Sequence, residues 1–449
     1  MDLREAIRTQ TMRRYQIQTI TICFILCVVD GFEILMMAFV APYLGREWNL
    51  GSVEIGFLLS ASIIGTALGA ILISPLTDKI GRRRLMIACL VGITIGMALS
   101  AAAPNLPALI IFRVFTGLGI GGIVSNLNIL VSEYSSERRR GTALGLYGTG
   151  LPLGSALGGV VTTVLCTHFG WRSAFVFGAA VTAVLLLVVI RSLPESVDYL
   201  IEKRPKNALR QYNTIAARLG YPTATELPSA PPRPAHLIRH SLFTGVMLRR
   251  TVFLWAGYSC LVAAFYFANT WTPKLVTDAT GDVSTGATAG VLVSVGGVAG
   301  ALLFAGLSLV IQPRHALILL MCGGALSYIG YASGYHVVAL AMLLAVAVGI
   351  FTTGGMAGFY AVSPSVYPAA ARGTGVGWMI GCGRTISILA PILTGYLLDL
   401  GWTPNGLYMA FSAVLVSAGT AVWLLDVTFR SHANPPIADA RQPEVAREP

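Results

Sequence analysis

The sequence is poor in charge. Of 449 residues only 11% are Asp, Glu, Lys or Arg, against roughly 25% in an ordinary soluble domain. With 55% of the chain apolar, a water-soluble globule is excluded, because too little polar surface remains to cover it. Histidine is also sparse. His168, His236, His240, His315, His336 and His432 all miss the middles of the apolar runs, which argues against a histidine relay. The seven cysteines lie inside apolar runs and form no CxxC pair, which argues against metal and redox chemistry and for small packing residues. No Walker loop, metal-ligand spacing or nucleophile–base set is present. The expectation is therefore neither an enzyme nor a cofactor protein, and any driving energy comes from an ion gradient.

The chain is instead rich in long apolar runs. Twelve stretches, near 17–43, 53–75, 85–103, 106–131, 142–167, 172–192, 251–272, 285–311, 315–334, 337–361, 374–398 and 405–428, reach the roughly twenty residues that cross a hydrocarbon core of about 30 Å as a helix. The expected fold is an all-α membrane protein with twelve transmembrane helices in two six-helix bundles. Lys and Arg fix its expected orientation, because basic loops stay on the cytoplasmic side. With the N-terminus inside, 26 of the 31 fall on the cytoplasmic side and three outside, while Arg113 and Arg384 lie within spans. That distribution explains the net charge of +11 without nucleic acid. The first apolar run contains Asp30 and Glu33 and no small-residue cleavage site, so it is expected to stay as the first span.

The expected domains are a cytoplasmic arm (1–16), a first bundle (17–192), a cytoplasmic linker (193–250), a second bundle (251–429) and a tail without fixed structure (430–449). Within the linker, Pro194 to Gly220 has helical spacing and a Pro-rich stretch follows. The halves resemble one another, as in carriers built from repeats. Tyr134, Arg140-Gly141-Thr142 and Gly170-Trp171 in the first recur as Tyr367, Arg372-Gly373-Thr374 and Gly401-Trp402 in the second. Ala41-Pro42-Tyr43-Leu44 likewise matches Thr272-Pro273-Lys274-Leu275. The pairs Gly117/Gly121, Gly154/Gly158, Gly296/Gly300 and Gly377/Gly381 predict closely packed helices.

Ser74-Pro-Leu-Thr-Asp78-Lys-Ile-Gly81-Arg82-Arg83-Arg84 resembles the loop between the second and third helices of the major facilitator superfamily, with Ser74 in place of the usual leading Gly. Arg113-Val-Phe-Thr-Gly117-Leu-Gly119-Ile-Gly121-Gly122 is similar to that superfamily's fourth-helix motif. Asp30-Gly31-Phe32-Glu33, the stretch Asn126 to Tyr134, and Leu193-Pro194-Glu195-Ser196 resemble the aromatic acid:proton symporter family, which usually has Asp where Glu33 stands. The loop at Gln312-Pro-Arg314-His315 keeps little of the repeated motif. The resemblance implies proton-coupled entry of aromatic carboxylates, and a part in proton transfer for Arg113.

Ionisable groups inside membrane helices are costly and tend to mark pathways. Asp30 and Glu33 share one face at i, i+3. Burial and mutual repulsion favour a proton on at least one of them, and the repeat offers only Leu261 and Ala264 in their places. They are the expected proton-coupling groups; the competing reading is an ion pair that locks the first span to a neighbour. Arg384, near midplane in the eleventh span, is the expected substrate-carboxylate ligand through a two-pronged hydrogen bond, or else the structural partner of a buried acid or backbone carbonyl. Asn126, Tyr266, Asn269, Tyr360 and Trp378 are further candidates for the substrate site, offering flat walls and polar contacts. Trp271, beside Pro273 and Lys274, reads better as a residue of the outer aromatic belt. Asp78, Arg82 and Glu133 are the expected gate, charge pairs that close the cytoplasmic side and separate when it opens, whereas Arg83 and Arg84 read as topology anchors.

The function expected from these residues is proton-coupled uptake of a small organic acid, most simply an aromatic carboxylate, by a monomeric carrier in the cell inner membrane. Its partners are that acid, protons and the lipid bilayer, with no nucleic acid. A drug/proton antiporter competes, because Gly150-Leu-Pro152-Leu-Gly154 resembles an exporter helix. So does a non-transporting receptor for the same acids that signals through 193–249.

Overall fold

In a bilayer every backbone N–H and C=O must be satisfied within the chain, and an α-helix does this within a single segment. The computed structural model of the protein is accordingly almost all helix. It describes residues 3–228, 245–335, 337–367 and 372–433, without the side chains of Asp78, Ser125, Arg372 and residues 431–433. The expected tail beyond Ala433, the Pro-rich part of the linker, and His236, His240 and His336 lie outside the described residues, as does the side chain of His432.

The helices run α1 (Leu3–Thr9), α2 (Arg14–Glu47), α3 (Ser52–Leu72), α4 (Thr77–Ile80), α5 (Arg82–Ala101), α6 (Leu106–Glu133), α7 (Arg140–Phe169) and α8 (Arg172–Ser192). After α9 (Val197–Lys203) and α10 (Ala208–Arg218), the second half follows as α11 (Gly245–Thr280), α12 (Val283–Val310), α13 (Pro313–Gly334), α14 (Val338–Val366), α15 (Arg372–Asp399) and α16 (Pro404–Ala433). Twelve of these are long and apolar enough to cross a membrane, and they are the twelve spans read from the sequence. The chain is thus a multi-pass membrane protein. An even number of crossings brings both ends of the helical chain to one side, here called the near side.

Local chemistry sets the helix ends. The Asn105 side chain accepts from the N–H of Ala108 to start α6, and Asp282 accepts from Ser284 and Thr285 to start α12. Gly170 and Gly401 reverse the chain after α7 and α15 with φ of 79° and 88°, a region that side chains disfavour. The same turn therefore closes the matched helix of each half, as the repeated Gly-Trp suggests.

Small residues bring the helices of each half together. A Cβ on Gly154 would overlap the Val28 carbonyl, one on Gly117 the Ser62 carbonyl, and one on Gly296 the Val346 carbonyl, so α2–α7, α3–α6 and α12–α14 cross with backbones touching. Gly377 and Gly381 differ: no neighbouring atom lies within 4 Å of an added Cβ. The close packing expected for that pair is absent, because it lies where the two halves part.

The parting can be followed along one stripe of α15, through Thr374, Gly377, Gly381, Arg384, Ile388, Ile392 and Gly395. Toward the far side this stripe lies on α3, where the Ser60 hydroxyl donates to the Ile388 carbonyl at 2.9 Å and Gly395 abuts Ser52. Toward the near side it faces open space. Helix α7 repeats the pattern: Ser155 and Ser294 hydroxyls meet at 2.8 Å, whereas Gly141, Gly145 and Gly148 have no such neighbour within 4 Å. The halves are joined from midplane to the far side, where Arg46 also donates to the Gly281 carbonyl at 3.1 Å, and they are open on the near side.

On the near side, α1 packs Leu3, Ala6 and Ile7 inward and its Leu3 N–H donates to the Tyr212 hydroxyl of α10 at 2.9 Å. Arg13 lies 4.5 Å over the Tyr221 ring. The polar arm thus contains a short amphipathic helix docked on the linker.

Candidate functional site

In the first half the two acids of α2 are almost fully enclosed, Asp30 at 5% and Glu33 at 1% exposure. Helix α7 can approach α2 this closely only because Gly31 rests on the Leu151 carbonyl. Glu33 Oε1 accepts from the Thr182 hydroxyl of α8 at 2.8 Å. Its backbone oxygen, not its carboxylate, accepts from Arg113 Nη2 of α6 at 2.7 Å. Arg113 is fully buried, with Nη1 3.2 Å from Met97 Sδ and its guanidinium 5.6 Å from the Phe175 ring centre. Asp30 Oδ2, Glu33 Oε2 and Arg113 Nε are buried without a hydrogen-bond partner.

Among the described residues no basic group lies within 4 Å of either carboxylate. The Arg113 guanidinium is nonetheless within electrostatic reach of the Glu33 carboxylate, while Asp30 has no such cation beside it among the described residues. Cys27, Cys89 and Tyr147 are the groups within electrostatic reach of Asp30 besides Glu33.

In the second half Arg384 is half-buried on α15 within electrostatic reach of three phenols, Tyr258 and Tyr266 of α11 and Tyr360 of α14. The Tyr258 and Tyr360 hydroxyls are 3.0 Å apart. Tyr266 bonds to Ser387, whose hydroxyl in turn donates to the Arg384 carbonyl at 2.7 Å. Gly383 makes room for the Tyr258 ring, which a Cβ would overlap. Among the described residues no carboxylate lies within 4 Å of this guanidinium, so the buried-acid partner weighed for Arg384 is absent. A planar guanidinium, able to bond through two prongs and within electrostatic reach of three phenols, is chemically suited to a carboxylate on a ring.

The family model described as Major Facilitator Superfamily matches residues 22–337 and 276–448. The chain belongs to the major facilitator superfamily.

Relatives of this facilitator include the 4-hydroxybenzoate transporter PcaK of Pseudomonas aeruginosa, 30% identical over 97% of each chain. The gallate transporter of Pseudomonas putida is 28% identical, over 89% of this chain and 90% of the relative. Among solved structures, the xylose transporter XylE from E. coli, in a partially occluded inward open conformation, superposes with a TM-score of 0.70 at 15% identity, covering 92% of this chain and 98% of that one. It shares the fold.

The facilitator's structure gathers Arg384, Tyr266 and Tyr360 and keeps other expected residues apart from them. Trp378 is more than half exposed and stacks on Trp255 at 6.2 Å, nearer the open side on the same helix. Asn126 and Asn269 each spend an amide hydrogen on their own helix, at the Gly122 and Phe265 carbonyls. Trp271 is fully buried and donates to the Pro391 carbonyl at 3.1 Å. This corrects the aromatic-belt reading, since its ring points into the bundle and not to the bilayer interface.

Of the expected gate, Arg82 and Glu133 form an ion pair, and both belong to the first half. Ser196 donates to Glu133 at 2.7 Å. Glu195, overlooked as a site residue, accepts from the N–H groups of Arg82, Arg83 and Ser196 at 2.8, 3.1 and 3.0 Å, capping α5. The side chain of Asp78 lies outside the described residues.

Sequence reasoning also missed Tyr258, Ser387 and Thr182. A signal existed for the first: Trp255, Tyr258, Val262, Tyr266 and Asn269 recur at helical spacing on one face of α11.

Proposed function

We propose that this facilitator carries a small aromatic carboxylate into the cell together with protons, the two halves alternating access around Arg384. The observation that carries the reading is the Arg384 guanidinium, without a carboxylate partner among the described residues and within electrostatic reach of three tyrosines, at the floor of an opening between the halves. The relatives named for 4-hydroxybenzoate and gallate support the substrate class. An ionised carboxylate buried in a low dielectric is expensive, so the enclosed Asp30 and Glu33, each with one orphaned oxygen, support a site that takes up protons and passes them on, with the Arg113 guanidinium within electrostatic reach of Glu33. No cofactor is needed if the proton gradient supplies the energy.

In this reading the protein is a monomer in the inner membrane and the near side faces the cytoplasm, as the Lys and Arg distribution favours. Residues 17–192 and 251–429 act as the two moving bodies, linked through the cytoplasmic segment 193–250, with the arm 1–16 and the tail 430–449 also inside. Protonation of the α2 acids together with substrate on Arg384 permits the exchange of open sides, and release to the cytoplasm resets it.

The test is uptake of labelled benzoate-type acids into proteoliposomes with and without an inward proton gradient. Accumulation that requires the gradient supports the proposal. Outward-only movement would turn the reading to an antiporter, and binding without flux to a receptor.

A further inference from the structure

The near end of the second half carries an unbalanced cluster of cations. Asp426 of α16, 2% exposed, is its one carboxylate among the described residues. Arg430 Nε lies 2.7 Å, His315 Nε2 3.3 Å and Arg314 Nη1 3.4 Å from it. Arg314 and Arg250 also lie over the Phe429 ring, at 4.0 and 3.7 Å from its centre. Two guanidiniums and an imidazole thus share one acid, beside a third guanidinium, Arg250, that donates to the Thr428 hydroxyl and carbonyl. Arg314 Nη1 remains buried without a hydrogen-bond acceptor, because its contact with Asp426 lacks hydrogen-bond geometry.

In the corresponding place of the first half two acids lie against the start of α5: Glu133 pairs with Arg82 and Glu195 caps the N–H groups of Arg82 and Arg83. The second half has no second acid there among the described residues. Its excess positive charge can draw an anion from outside the described residues.

The helix surfaces indicate which anion. From Arg430, an exposed stripe of α16 runs into the membrane through Val427, Trp423 and Val416, and from His315 a stripe of α13 runs through Leu319, Cys322 and Leu326. Apolar tracks that end at guanidiniums match a molecule with an anionic head and hydrocarbon tails.

We propose that the near ends of α13 and α16 form a binding site for an anionic phospholipid, its phosphate held by Arg314, Arg430 and His315 and its acyl chains lying along the two stripes.

Native mass spectrometry of the purified full chain, titrated with phosphatidylglycerol, phosphatidylcholine or inorganic phosphate, tests this. The expected result is tight binding of phosphatidylglycerol over phosphatidylcholine, weakened about fivefold or more in Arg430→Gln and in Arg314→Gln but unchanged in Arg138→Gln, a near-side cation outside the cluster. Arg430 is largely exposed, so its variant is expected to fold. Equal affinity in parent and variants, or no preference between the two lipids, would overturn the site. Inorganic phosphate binding as tightly as the lipid would overturn the lipid assignment, and so would lipid binding that appears only after removal of residues 434–449.

Discussion

The Ser60 hydroxyl donates to the Ile388 carbonyl at 2.9 Å, joining the two halves one helical turn, about 6 Å, beyond Arg384 on the same helix. The contact between halves thus ends at the level of the guanidinium, which becomes the floor of the opening. Cysteine labelling checks this. In a background without reactive thiols, Gly377→Cys and Gly381→Cys are expected to react with a membrane-impermeant reagent from the near side, and Ser60→Cys is not. Protection of all three would mean that the halves close over Arg384.

Arg384→Lys keeps the charge and loses the planar fork. The expected outcome is a rise in the KM for the acid of about tenfold or more, the equivalent of one lost charge-assisted hydrogen bond. An unchanged KM in initial-rate uptake would remove Arg384 from the substrate site.

Asp30→Asn and Glu33→Gln mimic the protonated acids. Each variant is expected to lose gradient-driven accumulation while retaining exchange of labelled for unlabelled substrate across proteoliposomes. If either still accumulates substrate as the parent does, that residue does not couple protons.

Thr182 makes the hydrogen bond to the Glu33 carboxylate, and the same hydroxyl is 2.8 Å from the Gly178 carbonyl, so its single proton serves one acceptor at a time. Thr182→Val is expected to slow proton-coupled uptake with little change in substrate KM, and Thr182→Ser to restore it. Equal uptake by the Val variant and the parent would show that the contact is dispensable.

Glu195→Ala leaves two backbone N–H groups at the start of α5, those of Arg82 and Arg83, and the Ser196 N–H before α9 without their acceptor. The expected cost is about 1–3 kcal/mol, seen as a lower melting temperature in detergent, with substrate affinity unchanged. An unaltered melting temperature would mean that water replaces the carboxylate.

The spans were legible in the sequence because the hydrocarbon core sets a length, and the chain meets it twelve times. Asp30, Glu33, Arg113 and Arg384 were legible because a charge in an apolar run has a cost that needs a reason. Trp271 was misread because Pro273 and Lys274 read as a helix end, whereas α11 runs on to Thr280 and the burial of Trp271 depends on α15, about 120 residues away.

By itself, then, the sequence determined the membrane fold, the repeat and the few ionisable residues inside it, all of which follow from local composition and the bilayer's demands on one segment at a time. The tertiary structure decided which groups those residues meet: Thr182 and not a basic residue at the Glu33 carboxylate, tyrosines and not an acid around Arg384, and an Arg82–Glu133 pair confined to one half. It also decided on which side the halves part. Those outcomes depend on how helices far apart in the chain cross, and the crossing is set by glycine contacts such as Gly31 on Leu151, whose partners no single stretch of sequence names.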